Sequence, residues 1–218
     1  MIRTYTRKGD ISPLIDKSIE IYRSHGLSAL SDDLHANILK HKVKFPLLEF
    51  CAKTLFVNLN PDDQIELRDD VCKRKTEGGN VILGIILQHR LPHVFNQSIA
   101  KTRAYIADAN DWYVCDIIGE RVWGVALLTQ YDRMIEVFET LGKDKSHWVV
   151  RSLGAGGHYA IKKGLEKEKV EEVFLLLMKM VNTNNRQIKQ GVGWAAKTTA
   201  KFHPDLIQKH HEKIQTVQ

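Results

Sequence analysis

From residue 11 to the end of the chain, apolar residues return every three or four positions and rarely alternate, so helices rather than strands are the elements that can bury them on one side. Only five prolines and no Ser/Gly-rich linker interrupt the pattern. It predicts an all-α protein with helices over 11–24, 28–40, 46–57, 61–75, 80–90, 93–108, 111–128, 132–141, 146–163, 167–182, 184–201 and 204–215. Asp10, Asn60 ahead of Pro61 and Asn110 ahead of Asp111 read as helix starts, because short polar side chains accept from the free N–H groups of a first turn and proline tolerates the first helical position. Helices of this length on short turns predict antiparallel pairs stacked side by side, an α-solenoid, in one domain over residues 1–218.

Cys51, Cys72 and Cys115 are odd in number and lie far apart, without a C-x-x-C pair, which predicts reduced thiols. The N-terminal stretch MIRTYTRKGD is polar, and V-I-L-G-I-I-L and V-F-L-L-L-M are far shorter than a bilayer span. The expectation is a soluble, cytoplasmic protein, nucleoid-associated in a prokaryote. The formal net charge of +6 is unevenly spread: residues 141–218 hold 14 Lys or Arg against 7 Asp or Glu, so the remainder carries −1. Such an asymmetry favours a polyanionic partner, most simply nucleic acid.

Three helices present faces that do not belong in a core. At 100° per residue, Trp112, Asp116, Glu120 and Trp123 fall within roughly 80° of one another, opposite Val114, Ile117, Ile118, Val122, Val125 and Leu128. Arg151, Ala155, His158 and Lys162 align likewise, with Trp148 at their margin and Val149, Val150, Leu153, Ala160 and Ile161 opposite. Gln187, Gln190, Trp194, Lys197 and Lys201 form a third polar face, away from the stripe Ile188, Val192, Ala195, Thr199 and Phe202. The spacings from Asp116 to Arg151 and from Arg151 to Trp194 are each close to one solenoid repeat, so these side chains can line one surface. Gly154, Gly156, Gly157, Gly191 and Gly193 lie inside predicted helices, each costing about 1 kcal/mol relative to Ala. Close approach of a neighbouring helix or of bound DNA would offset that cost.

W-Y-V-C-D, W-V-V-R and V-G-W-A-A-K, in that order and at those separations, resemble the AlkD-type DNA alkylation repair glycosylases, built from HEAT-like repeats. The resemblance is strongest over residues 105–210 and leaves residues 1–100 as scaffold and an additional DNA contact. It implies a solenoid whose concave basic groove holds duplex DNA, and hydrolysis of the N-glycosidic bond of N3- or N7-alkylated purines. It assigns Asp116 as the catalytic carboxylate, Arg151 as a phosphate clamp, and Trp112 and Trp194 as aromatic contacts to the lesion's sugar. DNA contacts are expected from Arg151, His158, Lys162, Gln190, Lys197, Lys201 and Trp148. The chain departs from the family pattern at Lys197, where an arginine is common, and in K-H-K-V-K-F-P-L-L-E-F, which lacks a preceding tyrosine. An open groove without a deep base-flipping pocket would admit bulky adducts.

The implied enzyme is monofunctional and monomeric and needs no cofactor or metal. His89 and His93 make a poor metal pair, since Pro92 separates them and the H-E-x-x-H glutamate is missing. Cys115 lies on a different side of the helix from Asp116 and has no evident histidine partner, so it reads as packing. Lys197 reads as a phosphate contact rather than a Schiff-base lysine. The rival reading is a HEAT-like module that binds branched or damaged DNA, or a protein partner, without catalysis.

Overall fold

The computed structural model describes residues 2–212, so the predicted helix over 204–215 ends outside them. Contacts divide the chain into two compact units, residues 1–92 and 93–218. In the first unit, helix α1 (Lys8–Leu34) is followed by a π turn (His35–Leu39), α2 (Phe45–Asn58), α3 (Pro61–Lys73) and the start of α4 (Glu77–Ala109). In α1, Gly26 adopts φ 81°, which breaks the rod where the sequence pattern predicts a gap between two helices. Strands β1 (Thr4–Tyr5) and β2 (Lys42–Val43) form a parallel pair, through Lys42 N–H to Arg3 O at 3.0 Å and Lys44 N–H to Tyr5 O at 3.3 Å. This pair is too short for any alternation to announce it. Ile11, Ile15, Leu30, Leu34, Leu48, Leu55 and Leu67 fill the core of this unit.

Asn60 caps α3 as predicted, accepting from Asp63 N–H at 2.9 Å. Asp10 does not cap α1. It sits at the third helical position, where its carboxylate accepts from Thr6 N–H at 3.2 Å and Arg7 N–H at 3.0 Å, the reaching-back half of a capping box. In α4 the backbone turns non-helical at Val94 (φ −137°, ψ 54°), two residues after Pro92, which has no N–H to give and crowds the preceding turn.

The second unit holds the remainder of α4, then α5 (Trp112–Gly119), a π turn (Glu120–Gly124), α6 (Val125–Thr129), α7 (Tyr131–Leu141), α8 (His147–Lys162), α9 (Lys167–Met180), α10 (Arg186–Phe202) and α11 (Pro204–Lys209). The two short strands aside, the described chain is all-α, as the sequence pattern requires. Among the described residues no helix is long and apolar enough to cross a membrane.

Helix α8 is closely packed on both sides, and on one of them by backbone. A Cβ on Gly154 would lie 2.1 Å from Gly191 O, and one on Gly191 would lie 2.4 Å from Arg151 O, so α8 and α10 approach as only glycines allow. On the opposite flank, a Cβ on Gly156 would meet Trp123 Cβ at 2.6 Å. The neighbouring helix therefore explains these glycines without DNA. Gly193 differs, because a Cβ there would meet nothing within 4 Å.

Candidate active site

Helix α5 begins one residue later than its sequence signal. Asp111, not Asn110, is the cap, its Oδ1 accepting from Tyr113 N–H at 2.9 Å. Asn110 instead adopts φ 50°, a conformation Asn tolerates, and its side-chain oxygen takes the indole N–H of Trp148.

From this start, α5 puts Trp112 out in solvent, 54% exposed, and Asp116 one turn further along. The predicted face does not continue to Trp123. The π turn over Glu120–Gly124 inserts a residue into the helical ladder, which rotates everything after it by roughly 100°. Trp123 is consequently fully buried, donating to Ser152 Oγ at 2.8 Å, while Ser152 donates to Val149 O at 2.6 Å. Glu120 remains partly exposed. Ala155 also leaves the predicted polar face and is buried.

Asp116 meets Arg151 of α8 through two parallel bonds, Nε to Oδ1 at 3.0 Å and Nη2 to Oδ2 at 2.7 Å. Their side chains are only 14% and 10% exposed, so the pair is largely shielded from water. Nη1 of Arg151 donates further, to Gln187 Oε1 at 2.8 Å and Gln190 Oε1 at 3.0 Å, both from α10. Burial opposes the guanidinium charge, but the hydrogen bonds and charge of Asp116 prevail and raise the Arg151 pKa. Cys115 Sγ lies 3.1 Å from Trp112 O and 3.3 Å from Asp116 Oδ1. Burial and the Asp116 charge push that thiol far up, so it is no nucleophile at neutral pH.

Above the ion pair lies an open cleft of about 570 Å³ lined by Trp112, Arg151, Arg186, Gln187, Gln190 and Trp194. Trp194 is held flat by His158, whose ring stacks on it at 4.1 Å between centroids and 22° between planes. His158 Nδ1 is 2.6 Å from Thr198 Oγ1, a hydroxyl within hydrogen-bond reach of Trp194 O as well, at 3.0 Å. Burial, and then the Lys162 charge, lower the His158 pKa.

Five of the residues expected from the sequence to contact DNA or the lesion, Trp112, Asp116, Arg151, Gln190 and Trp194, are thus gathered at one cleft or directly beneath it. The others are placed differently. His158 supports Trp194 from behind, and Trp148 packs on His147 and Asn110. Lys197 borders a separate apolar groove with Phe174, Met178 and Ile207. Lys162 and Lys201 are exposed outside the cleft, and Lys201 lies 5.4 Å from the ring of Phe202, itself exposed at the end of its predicted apolar stripe. Two participants escaped the sequence reading. Gln187 was visible only as a member of a polar face, three residues from Gln190, and Arg186 opens α10 with no periodic signal.

Among the described residues no group of three or more His, Cys, Asp or Glu is arranged to hold a metal. His89 is half-buried against Phe56 at 5.0 Å between centroids, while His93 is exposed.

No curated protein and no solved structure matches the chain. A family model described as DNA alkylation repair enzyme matches residues 41–215, most of the sequence and all of the cleft. With a shielded carboxylate–guanidinium pair beneath two tryptophans inside that matched stretch, the protein belongs to the DNA alkylation repair enzyme family, which makes DNA its macromolecular partner.

Proposed function

We propose that the protein is a monofunctional DNA glycosylase that hydrolyses the N-glycosidic bond of N3- or N7-alkylated purines in duplex DNA. The observation that carries this reading is the Asp116 carboxylate, fixed bidentately by Arg151, which itself lines a cleft walled by Trp112 and Trp194.

An N3- or N7-alkylated purine is already cationic and leaves with the bonding electrons as a neutral base, so no acid is needed to protonate it. The C1′–N bond breaks and positive charge develops on the sugar as an oxocarbenium ion. A carboxylate held in advance of the reaction stabilises that charge without reorganising. Of the roughly four lone-pair positions a carboxylate offers, two are taken by Arg151 and one faces the Cys115 thiol. The remaining one can orient the water that attacks C1′, and the water's proton passes through the carboxylate to solvent. Indole faces attract cations and C–H groups, so Trp112 and Trp194 favour the same charge and thin out competing water. The products are the free alkylpurine and an abasic site. Because the cleft is open, the base stays largely unenclosed, and replacing methyl by a larger alkyl group is expected to change the rate little.

The test is release of free base from duplex DNA containing N7-methylguanine, by wild type and by Asp116→Asn. The expected loss in the variant is at least about 100-fold, the scale for removing one preorganised charge-stabilising group, with DNA binding retained. An undiminished variant rate sinks the assignment of Asp116. No release by wild type from either N7-methylguanine or N3-methyladenine sinks the glycosylase reading and leaves a family member that binds DNA without cleaving this bond.

A further inference from the structure

The resemblance assigns the phosphate contact to Arg151, but the geometry gives Arg151 other work. Four of the five N–H donors of a guanidinium are engaged here, two by Asp116 and two by the side-chain oxygens of Gln187 and Gln190. The group is nearly buried, and swinging it toward a phosphate would strand Asp116 as a shielded charge without its partner. The lining of the cleft contains one further cation, Arg186. It is exposed, and among the described residues no hydrogen bond or ion pair engages its guanidinium. It stands at the first position of α10, on the same helix as Trp194, Gln187 and Gln190. There the positive end of the helix adds to its attraction for an anion. A planar fork with all its donors available is suited to bidentate capture of a phosphate.

We propose that Arg186 is the residue of the cleft that grips a DNA backbone phosphate, while Arg151, braced by Gln187 and Gln190, is a positioning residue that holds Asp116 in place. The division of labour rests on the DNA-repair reading of the same cleft, but its binding arm does not need catalysis. Arg186 touches the nucleic acid and contributes to affinity and its salt dependence. Arg151 acts through Asp116 and contributes to the rate once DNA is bound.

The experiment measures binding of undamaged duplex DNA by fluorescence anisotropy across a salt series, and base release from N7-methylguanine duplex at saturating protein. The proteins are wild type, Arg186→Gln, Arg186→Lys and Arg151→Gln, each checked for an intact thermal transition. In Arg186→Gln, loss of one phosphate contact should flatten the slope of log affinity against log salt by about 0.9 and weaken binding about five-fold near physiological salt. Arg186→Lys should recover most of both, because a lysine keeps the charge. Arg151→Gln should keep the wild-type salt slope and lose base release at saturation, by more than Arg186→Gln does under the same conditions.

A wild-type slope and affinity in Arg186→Gln overturns the proposal, as does a flattened slope in Arg151→Gln, which would return the clamp to Arg151. Failure of wild type to bind duplex DNA at all also overturns it. Failure to release base, with the Arg186 slope effect present, removes the glycosylase reading and leaves the Arg186 contact standing.

Discussion

Among the described residues, the second unit contains two bidentate Arg–Asp pairs of nearly the same geometry and opposite character. Arg103 meets Asp144 at 2.8 and 3.0 Å, and Arg151 meets Asp116 at 3.0 and 2.7 Å. At the first pair Arg103 is 43% exposed, and Asp144 also accepts from Ser146 N–H at 2.8 Å, so the carboxylate ties a helix to the turn entering α8. At the second pair both partners are shielded, two glutamines brace the guanidinium, and an aromatic-walled cleft lies above. The same pair of residue types is a fastening in one place and the floor of a site in the other. Both carboxylates are shielded, so it is water access to the guanidinium, its bracing and the opening above that decide between them, not the ion pair itself.

The strongest way to break this comparison is to remove one charge from each pair. Asp116→Asn is expected to reduce base release at least about 100-fold, whereas Asp144→Asn should stay within about two-fold of wild-type activity and cost about 1–3 kcal/mol of stability, the scale for weakening hydrogen bonds to a shielded carboxylate. Equal losses of activity in base-release assays would show that the contrast carries no functional meaning.

Stability of the seam beside the site comes next. Gly154→Ala puts a methyl into the backbone of Gly191 and should cost about 3 kcal/mol or more in urea denaturation, since backbone cannot yield as a side chain can. Gly193→Ala, in open space on the same helix pair, should gain up to about 1 kcal/mol from helix propensity. A mild Gly154→Ala would mean that α8 and α10 separate easily, and that Gln187 and Gln190 do not hold Arg151 firmly.

Acid should distinguish the two regions by where stability begins to fail. Burial, followed by the Lys162 charge, lowers the folded-state pKa of His158, so the unfolded chain takes up its proton first. Its contribution is whole above about pH 6.5 and declines as pH falls below that value. His41 and His89, also lowered chiefly by burial, add to the same decline. Asp144 behaves otherwise. Burial raises its pKa, but the hydrogen bonds from Arg103 and Ser146 outweigh that and hold it below the usual carboxylate range, so its contribution persists until the pH falls below about 4. Urea midpoints from pH 7 to 5 should therefore drop in wild type and drop less in His158→Gln, while Asp144→Asn leaves that interval unchanged in shape.

The smallest effect concerns thiols. Burial pushes Cys51 up to about 12, and burial with the Asp116 charge pushes Cys115 further, so both should resist a thiol reagent in the native protein. Rapid labelling of Cys115 at neutral pH, seen by peptide mass analysis, would mean that the shielding of Asp116 is transient.

Much of this was legible before any coordinates. Helical periodicity located the helices and the break around Gly26, because the 3.6-residue repeat is a local property of the chain. Asp116, Arg151 and Trp194 could be nominated together because stacked helix pairs bring residues one repeat apart onto one surface. Trp123 misled, since nothing in E-R-V-W-G announces the π turn that rotates it into the core. His158 was readable as polar and near the site, but not as the plate beneath Trp194, because stacking depends on the separation of α8 and α10.

The sequence by itself therefore determined the all-α class, the extents of most helices and the set of polar side chains too costly to bury without partners. Tertiary structure decided which partners they took. The glycine seam sets α10 close enough to α8 for Gln187 and Gln190 to reach Arg151, and that reach occupies Arg151 while Arg186 stays available. A hydrogen bond exists or fails over less than an ångström, and helical periodicity carries no information at that scale.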